Sequence, residues 1–315
     1  MALAALRRAA TAALQLVAVS VAVFALTSLL PGDTAVVVLG EHATEEQLAA
    51  LRERMHLDRP PLERFAAWAG GLLHGDLGRS SLTGLPVTED IARGFTTTAL
   101  LAVVALVVVV PLAVAIGVAG GLRRGSLPDR VLNSAVLLLN SVPEFALALL
   151  LVGLFALHLA WLPATAAGAS GWELAAQPAL LVLPVSVLVG KQLCGLARQV
   201  RIGVAEADDA EYATHVRFHG LPERTVVLRH VLPNAIGPAV QQLARVVDGL
   251  LGGVVVVEAV FALPGMGSGF VNAVMARDLP SVQAYALVFA AVTIAVNMLA
   301  DIAAKRLVPQ REVMA

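Results

Sequence analysis

Three histidines crowd one polar stretch of this chain, His215, His219 and His230. His215 and His219 are four residues apart, so a helix would put both imidazoles on one face, the spacing of two-histidine metal pairs. A zinc hydrolase of that pattern places a glutamate between the pair as general base, and none stands here. A third ligand would have to come from His230 or from Asp209 across a turn. No glycine-flanked nucleophile serine or serine/histidine pair is visible in the stretch. Cys194 is the only cysteine and lies in an apolar run, so a disulfide framework and a cysteine zinc site are both excluded. The expectation is therefore no catalytic residue and no metal, with the histidines favourably placed at a helix C-terminus.

What remains is mechanical. Asp208 can cap a helix with Glu211 at its third position. Asp208, Asp209 and Glu211 then lie at the positive end, and His215, Arg217 and His219 at the negative end. Gly220 supplies the left-handed residue that ends such a helix. Pro222 can open a second short helix with Glu223 in its first turn, running towards His230. Pro233 and Asn234 begin the next apolar run. The spacing predicts two short helices with a sharp corner at Gly220, a rigid charged element able to move the segment that follows.

The elements around it are apolar. Of 315 residues 58% are hydrophobic and 14% charged, with a mean hydropathy of +0.81. Soluble domains carry about 25% charged residues, so this is the composition of an integral membrane protein. A net charge of −1 gives no basic surface for nucleic acid. Six runs reach spanning length, near 9–30, 96–122, 131–154, 179–199, 235–261 and 285–304. Pro111, Pro143, Pro184 and Pro238 fall inside four of them, as kinks that spanning bundles tolerate. The first run ends in Pro31-Gly32-Asp33 without a small-x-small site, so an uncleaved span is expected rather than a signal peptide.

Arginines set the orientation. Arg7 and Arg8 precede the first span, Arg123, Arg124 and Arg130 follow the second, and five more, from Arg198 to Arg229, follow the fourth. The connections 155–178 and 262–284 hold one basic residue, Arg277. Both termini are thus expected in the cytoplasm. The expected fold is all-α, divided into a first span (1–30), an outer helical loop (31–95), a five-helix membrane core (96–304) with the cytoplasmic segment 200–233, and a cytoplasmic tail (305–315). In the outer loop Thr44 to Gln47 forms a capping-box pattern, followed by Leu48, Leu51 and Met55 at helical spacing. Pro60 and Pro61 start another helix with Phe65, Trp68 and Leu72 on one face. This region reads as a small cap over the outer mouth or as a contact surface for a soluble partner.

Charge inside a bilayer costs about 2.5–3.5 kcal/mol on insertion scales and needs a reason. Arg245 and Asp248 lie near the middle of the fifth run, three residues apart, where they can neutralise each other or line a path for a charged solute. Glu144 follows Pro143 in the third run and is a candidate of the same kind. Glu258 sits near the outer end of the fifth run. After it, "LPGMGSG" with Pro264, Gly265 and Gly267 reads as a flexible turn or gate rather than a nucleotide loop, since no strand precedes it. Lys191 and Arg198 are expected to snorkel to the inner interface, and His158 with Trp161 to sit at an outer one.

Glu211-Tyr212, Arg217, Gly220-Leu221 and "RHVLPNA" resemble the cytoplasmic coupling segment of permease subunits of binding-protein-dependent ABC importers. The whole chain resembles the B-type permease of the dipeptide, oligopeptide and nickel branch. "LLPGD", "LDRPPLERFAAWAGGLLHGDLGRS", "RRGSLPDR", "NSVPEFALALLL" and "EAVFALPGMGSGFVNAVMARDLPSVQ" stand in that branch's order. The importer-wide motif begins Glu-Ala-Ala, where this chain has Thr214, His215 and Val216. His215 and His219 replace the branch's threonine and lysine, and Pro233 replaces the arginine before Asn234.

The resemblance implies coupling to ATPases through Asp208, Glu211, Tyr212, His215, Arg217, His219, Gly220, Leu221, Glu223, Arg224 and His230. It implies a translocation path or gate at Glu144, Arg245, Asp248, Glu258, Pro264, Gly265 and Gly267. Implied partners are a second, C-type permease, two ATPase subunits carrying ATP and Mg, and an extracytoplasmic substrate-binding protein, all at the cell membrane. The chain lacks G-x-x-x-x-G-K-[ST], so no cofactor is expected on it, and it is a transport subunit rather than an enzyme. Dipeptides, oligopeptides, nickel or metal chelates, opines and glutathione all fit as substrates. A self-sufficient secondary transporter or channel, or a membrane scaffold, is the rival reading.

Overall fold

The computed structural model describes residues 2–29, 36, 39–40, 42–54 and 58–307. Thirteen α-helices are used below, two of them prolonged by π-helical turns. They are α1 (Ala2–Ser28), α2 (Glu45–Arg54), α3 (Pro61–Leu73), α4 (Val87–Leu122), α5 (Leu127–Ser141), α6 (Glu144–Leu151, continued by Val152–His158), α7 (Gly171–Ala175), α8 (Pro178–Asp208), α9 (Glu211–Phe218), α10 (Glu223–Val226, continued by Val227–Val231), α11 (Leu232–Phe261), α12 (Met266–Met275) and α13 (Leu279–Leu307). Among the described residues four helices are long and apolar enough to cross a membrane, and up to six crossings result if each of two bent helix pairs counts as one. Pro111 and Pro184 lie inside α4 and α8 without ending them.

The third expected run is not one helix. α5 and the α6 segment meet at 104°. Val142 is extended, at φ −78° and ψ 129°, as the residue before a proline prefers. Pro143 then opens α6. The break frees backbone carbonyls that a helix would have used, and in a membrane these need partners. Lys191 supplies them from the middle of α8, donating to the carbonyls of Asn140 at 2.9 Å and Val142 at 3.3 Å. The expectation that Lys191 snorkels is thereby corrected: α8 continues to Asp208, which leaves Lys191 mid-helix with its ammonium held by the break.

The chain folds as two compact units. One comprises Met1–Thr98, Ser170–Trp172 and Pro264–Ala295. In it the capping box at α2 forms, with Thr44 N donating to Gln47 Oε1 at 3.0 Å and Gln47 N to Thr44 Oγ1 at 3.3 Å. Met55 lies outside the described residues. Phe65 and Trp68 of α3 pack on Phe24 of α1 with ring centroids 5.3 and 6.0 Å away. Val87, Ile91, Met266, Ala273, Ala284 and Tyr285 form a core. Buried Asp278 closes it by accepting from Ser81 N at 2.8 Å and Ser281 Oγ at 2.6 Å.

The other unit comprises Ala99–Ala169, Glu173–Leu263 and Val296–Ala315. Its centre is the packing of α8 on α11. Small residues let these backbones approach closely, the usual means of association where lipid offers no hydrophobic contrast. A Cβ on Gly249 would lie 2.5 Å from Gln192 Nε2, and one on Gly195 2.7 Å from Gln242 Nε2. Gly117 and Gly121 of α4 admit Val200 and Val204 of α8 in the same way. Around this seam lies a core including Leu101, Leu147, Leu188, Val246, Leu250 and Phe261.

Candidate functional site

The polar stretch builds a corner, by chemistry other than the spacing predicts. α8 stays helical to Asp208, and the residue before α9 is Ala210, with no side-chain cap. Asp208 therefore does not cap α9. Arg217 takes it instead: Nη2 donates to its carboxylate and Nη1 to its carbonyl, the latter at 3.2 Å. The same guanidinium reaches over Gly220 to Glu223, Nε to Oε2 at 3.1 Å and Nη2 to Oε1 at 2.7 Å. One arginine thus ties the end of α8, the end of α9 and the start of α10. Both carboxylates raise the Arg217 pKa further above its ordinary value, and Arg217 holds the Glu223 carboxyl below its own. Gly220, at φ +78°, makes the turn that an L side chain resists.

The preceding loop joins the corner through two further ion pairs. Arg124 Nη1 donates to Asp209 Oδ2 at 2.8 Å. Buried Asp129, in the first turn of α5, receives Arg201 of α8 in a bidentate fork at 2.7 and 2.8 Å. Its oxygens also accept from Asn133 Nδ2 at 2.7 Å and Gly125 N at 3.0 Å. Four donors satisfy the carboxylate, which a buried charge requires.

α9 itself is two-faced. Ala213 is buried, and Tyr212 and Val216 pack beneath it with Val200, Val204, Ala207, Val226 and Val231. Glu211, Thr214, His215 and Phe218 are exposed, at the i, i+3, i+4, i+7 spacing of one helix stripe. Phe218 is 84% exposed, an aromatic left uncovered by the described residues. His215 and His219 stand with ring centroids 4.5 Å apart, and His219 Nδ1 meets the His215 carbonyl at 2.9 Å.

Inside the membrane-spanning part the charges do not pair as expected. Arg245 Nε donates to Gln242 Oε1 at 2.8 Å, and Asp248 accepts from Asn297 of α13 at 3.2 and 3.3 Å. Each finds a neutral amide, so the Arg245–Asp248 neutralisation is corrected; on α11 the two side chains lean to opposite sides. Glu144 lies over Gly253, its Oε1 3.0 Å from where a Cβ would sit. Among the described residues Glu144 has no hydrogen-bond or ion-pair partner.

The surface of α11 differs from that of other long helices. The described residues it exposes are Pro233, Asn234, Arg245, Gly252 and Ala259. None is a large apolar side chain, whereas α1, α4 and α5 expose many, among them Leu14, Val107 and Leu138. A separate cleft of 270 Å³ between α4, α8 and α11 is lined by residues such as Val110, Leu196 and Leu243. It offers a charged solute no polar group, which the open face of α11 does.

Comparison with known proteins decides what kind of chain this is. Residues 110–313 match the family described as binding-protein-dependent transport system inner membrane component. Residues 1–102 match that system's N-terminal membrane component. The chain belongs to this family. It is a permease, and the match sets aside the self-sufficient transporter, the channel and the scaffold. A Brucella abortus (strain 2308) protein named as a peptide transport system permease is 36% identical over 302 residues, covering 94% of this chain and 95% of its own. The glutathione transport system permease protein GsiC of Salmonella choleraesuis is 35% identical over 287 residues, covering 91% of each. A multi-pass inner-membrane protein follows from the family and the apolar helices.

The permease places its remaining predicted residues as follows. His230 lies in the π-helical turn after α10, and its carbonyl accepts from Asn234 Nδ2 at 2.7 Å. Leu221 and Arg224 are exposed beside the corner. Glu258 is fully buried on α11, and its carbonyl takes Leu263 N at 2.9 Å where Ala262 turns left-handed. The glycine-rich stretch is less loose than expected: Gly265 precedes α12 and Gly267 is buried within its first turn. Ser268 Oγ accepts from Gly265 N at 3.0 Å and fixes that start. Phe218, Asp129, Arg201 and the role of Lys191 were absent from the sequence-based expectations. Ser126-x-x-Asp129 is a readable capping pattern, and it does cap α5. Nothing local marks Arg201 or Lys191.

Proposed function

We propose that the permease forms half of the translocation path of an ABC importer for peptides. A second, C-type permease completes the path, two ATPase subunits carrying ATP and Mg dock on the cytoplasmic side, and an extracytoplasmic binding protein delivers substrate. The chain itself catalyses nothing and binds no nucleotide. The arginine pattern supports cytoplasmic termini, with α9 and α10 on the same side in this reading. The names of the relatives support peptides or glutathione as the substrate class.

The observation that carries this reading is the stripe Glu211, Thr214, His215 and Phe218 on a corner laced by ion pairs. An exposed aromatic on a rigid mount is the form of an interface anchor. Among the residues assigned to coupling, Asp208, Arg217 and Glu223 build the mount, whereas Glu211 and His215 meet the ATPase together with Phe218, which that assignment did not include. Closure of the ATPases pushes α9; the corner and the Asp129–Arg201 fork pass that displacement to α8, α5 and α11 as a rigid-body change. The open face of α11, with Glu144, Arg245 and Asp248 around it, lines the path. Glu258 stands near its outer end, and Pro264, Gly265 and Gly267 are proposed as gate residues.

The test is ATP-driven peptide uptake by the complex in proteoliposomes. Phe218→Ala should lower uptake at least tenfold and weaken ATPase retention on purification, while Leu228→Ala, also exposed, should change neither. Wild-type uptake without ATPase subunits would overturn the reading.

A further inference from the structure

On and beside the open face of α11 stand three charged side chains, Arg245 and Asp248 of α11 and Glu144 of α6, none with an ion-pair partner among the described residues. Helical geometry places them. Taking 100° per residue, Gly252 lies on the azimuth of Arg245, and Asp248 about 60° to one side. Gln242 lies about 60° and Gly253 about 80° to the other side. Arg245 bonds Gln242, so its guanidinium leans towards the side of Gly253, where Glu144 sits. Asp248 leans away, to Asn297. Glu144 and Arg245 therefore stand on one edge of the open strip, opposite in sign and separated along the helix.

That separation is fixed by the backbone. Gly253 and Arg245 are eight residues apart, about 12 Å at 1.5 Å per residue, and the lean towards Gln242 extends this to about 16 Å. At that distance they do not form a pair with each other. Placing an ionisable side chain in a membrane segment has a cost that a complementary ligand would offset. Between them Gly249 is met by Gln192 of α8 and Gly253 by Glu144, whereas a Cβ on Gly252 would meet nothing within 4 Å. The exposed strip has room beside the backbone at Gly252, with Gln192 along its α8 edge.

We infer that Glu144 and Arg245 are the two ends of a site for a short zwitterionic peptide. The Glu144 carboxylate takes the free ammonium, and the Arg245 guanidinium takes the free carboxylate in a bidentate fork. An extended chain advances about 3.3–3.6 Å per residue, so a span of about 12–16 Å fits three to five residues. The inference deepens the permease reading and rests on it.

The probe is tritiated trialanine bound to the purified transporter complex with the binding protein omitted, so that only the membrane subunits select. Free trialanine should compete at least tenfold better than N-acetyl-trialanine or trialanine amide. Glu144→Gln should abolish the advantage over the N-acetyl form alone, and Arg245→Gln that over the amide alone. Glu144→Asp and Arg245→Lys should keep both preferences in part. Equal competition by the blocked peptides in the wild type overturns the site without any variant having to fold. So does absence of binding by a complex that still couples ATP hydrolysis to the loaded binding protein, and in that case the permease reading stands. A complex showing no such coupling removes both.

Discussion

Asp129 and Arg201 form a buried bidentate ion pair that fastens the start of α5 to α8, 72 residues later in the chain. Breaking a buried pair costs about 3–5 kcal/mol, because the survivor keeps an uncompensated charge. Arg201 is 29% exposed, so solvent screening brings the loss to or below the lower limit of that range. Arg201→Ala should therefore destabilise the detergent-solubilised permease by about 2–3 kcal/mol in thermal unfolding. Asp129→Ala should do the same, and the double variant should fall short of the sum.

Lys191 predicts a second effect. Removing its ammonium leaves two carbonyls at the α5–α6 break without that donor, at about 1–3 kcal/mol for an unsatisfied buried group. Lys191→Met should speed amide exchange around Ser141 to Phe145 while leaving α13 unchanged. Lys191→Arg should restore most of the protection.

Gly220 predicts a third. Its φ of +78° is costly for an L side chain, so Gly220→Ala should cost about 1 kcal/mol. The readout is uptake per ATP hydrolysed, which should fall as the corner loosens while the complex stays assembled.

The Glu223–Arg217 pair predicts a pH dependence outside the membrane. Arg217 lowers the Glu223 pKa in the folded chain. The unfolded state then binds the proton more readily, so the contribution is fully present above the ordinary glutamate range, near about 4.3. It is lost as pH falls through the lowered folded value. Protease cleavage at 219–223 should rise below that range in the wild type. Glu223→Gln should raise cleavage at neutral pH and flatten the profile.

Local signals made much of this architecture readable. Hydropathy marks the long helices, Thr44 and Gln47 make their capping box, and Gly220 turns where its type requires. The failures share one cause, which is partnership at a distance. Pro143 reads as a kink because the residue that sustains a full break, Lys191, is about 50 positions away. Asp208 reads as a cap because Arg217, nine residues on, is invisible to a four-residue pattern. Arg245 and Asp248 read as a pair because spacing ignores Gln242 and Asn297. Phe218 drew no attention because an apolar residue in an apolar chain means little until its exposure is known.

Site-specific cross-linking tests the central claim most directly. In a Cys194→Ser background, single cysteines replace Thr214, Phe218 or Ala213, and the complex is treated with a short reagent that carries a maleimide for the thiol and a photoreactive group for any neighbouring C–H bond. Thr214→Cys and Phe218→Cys should join the permease to an ATPase subunit, and the join should change with bound nucleotide. Buried Ala213→Cys should not. Failure at both exposed positions, with the ATPase captured instead from other cytoplasmic residues, would contradict the assignment of α9 as the coupling surface.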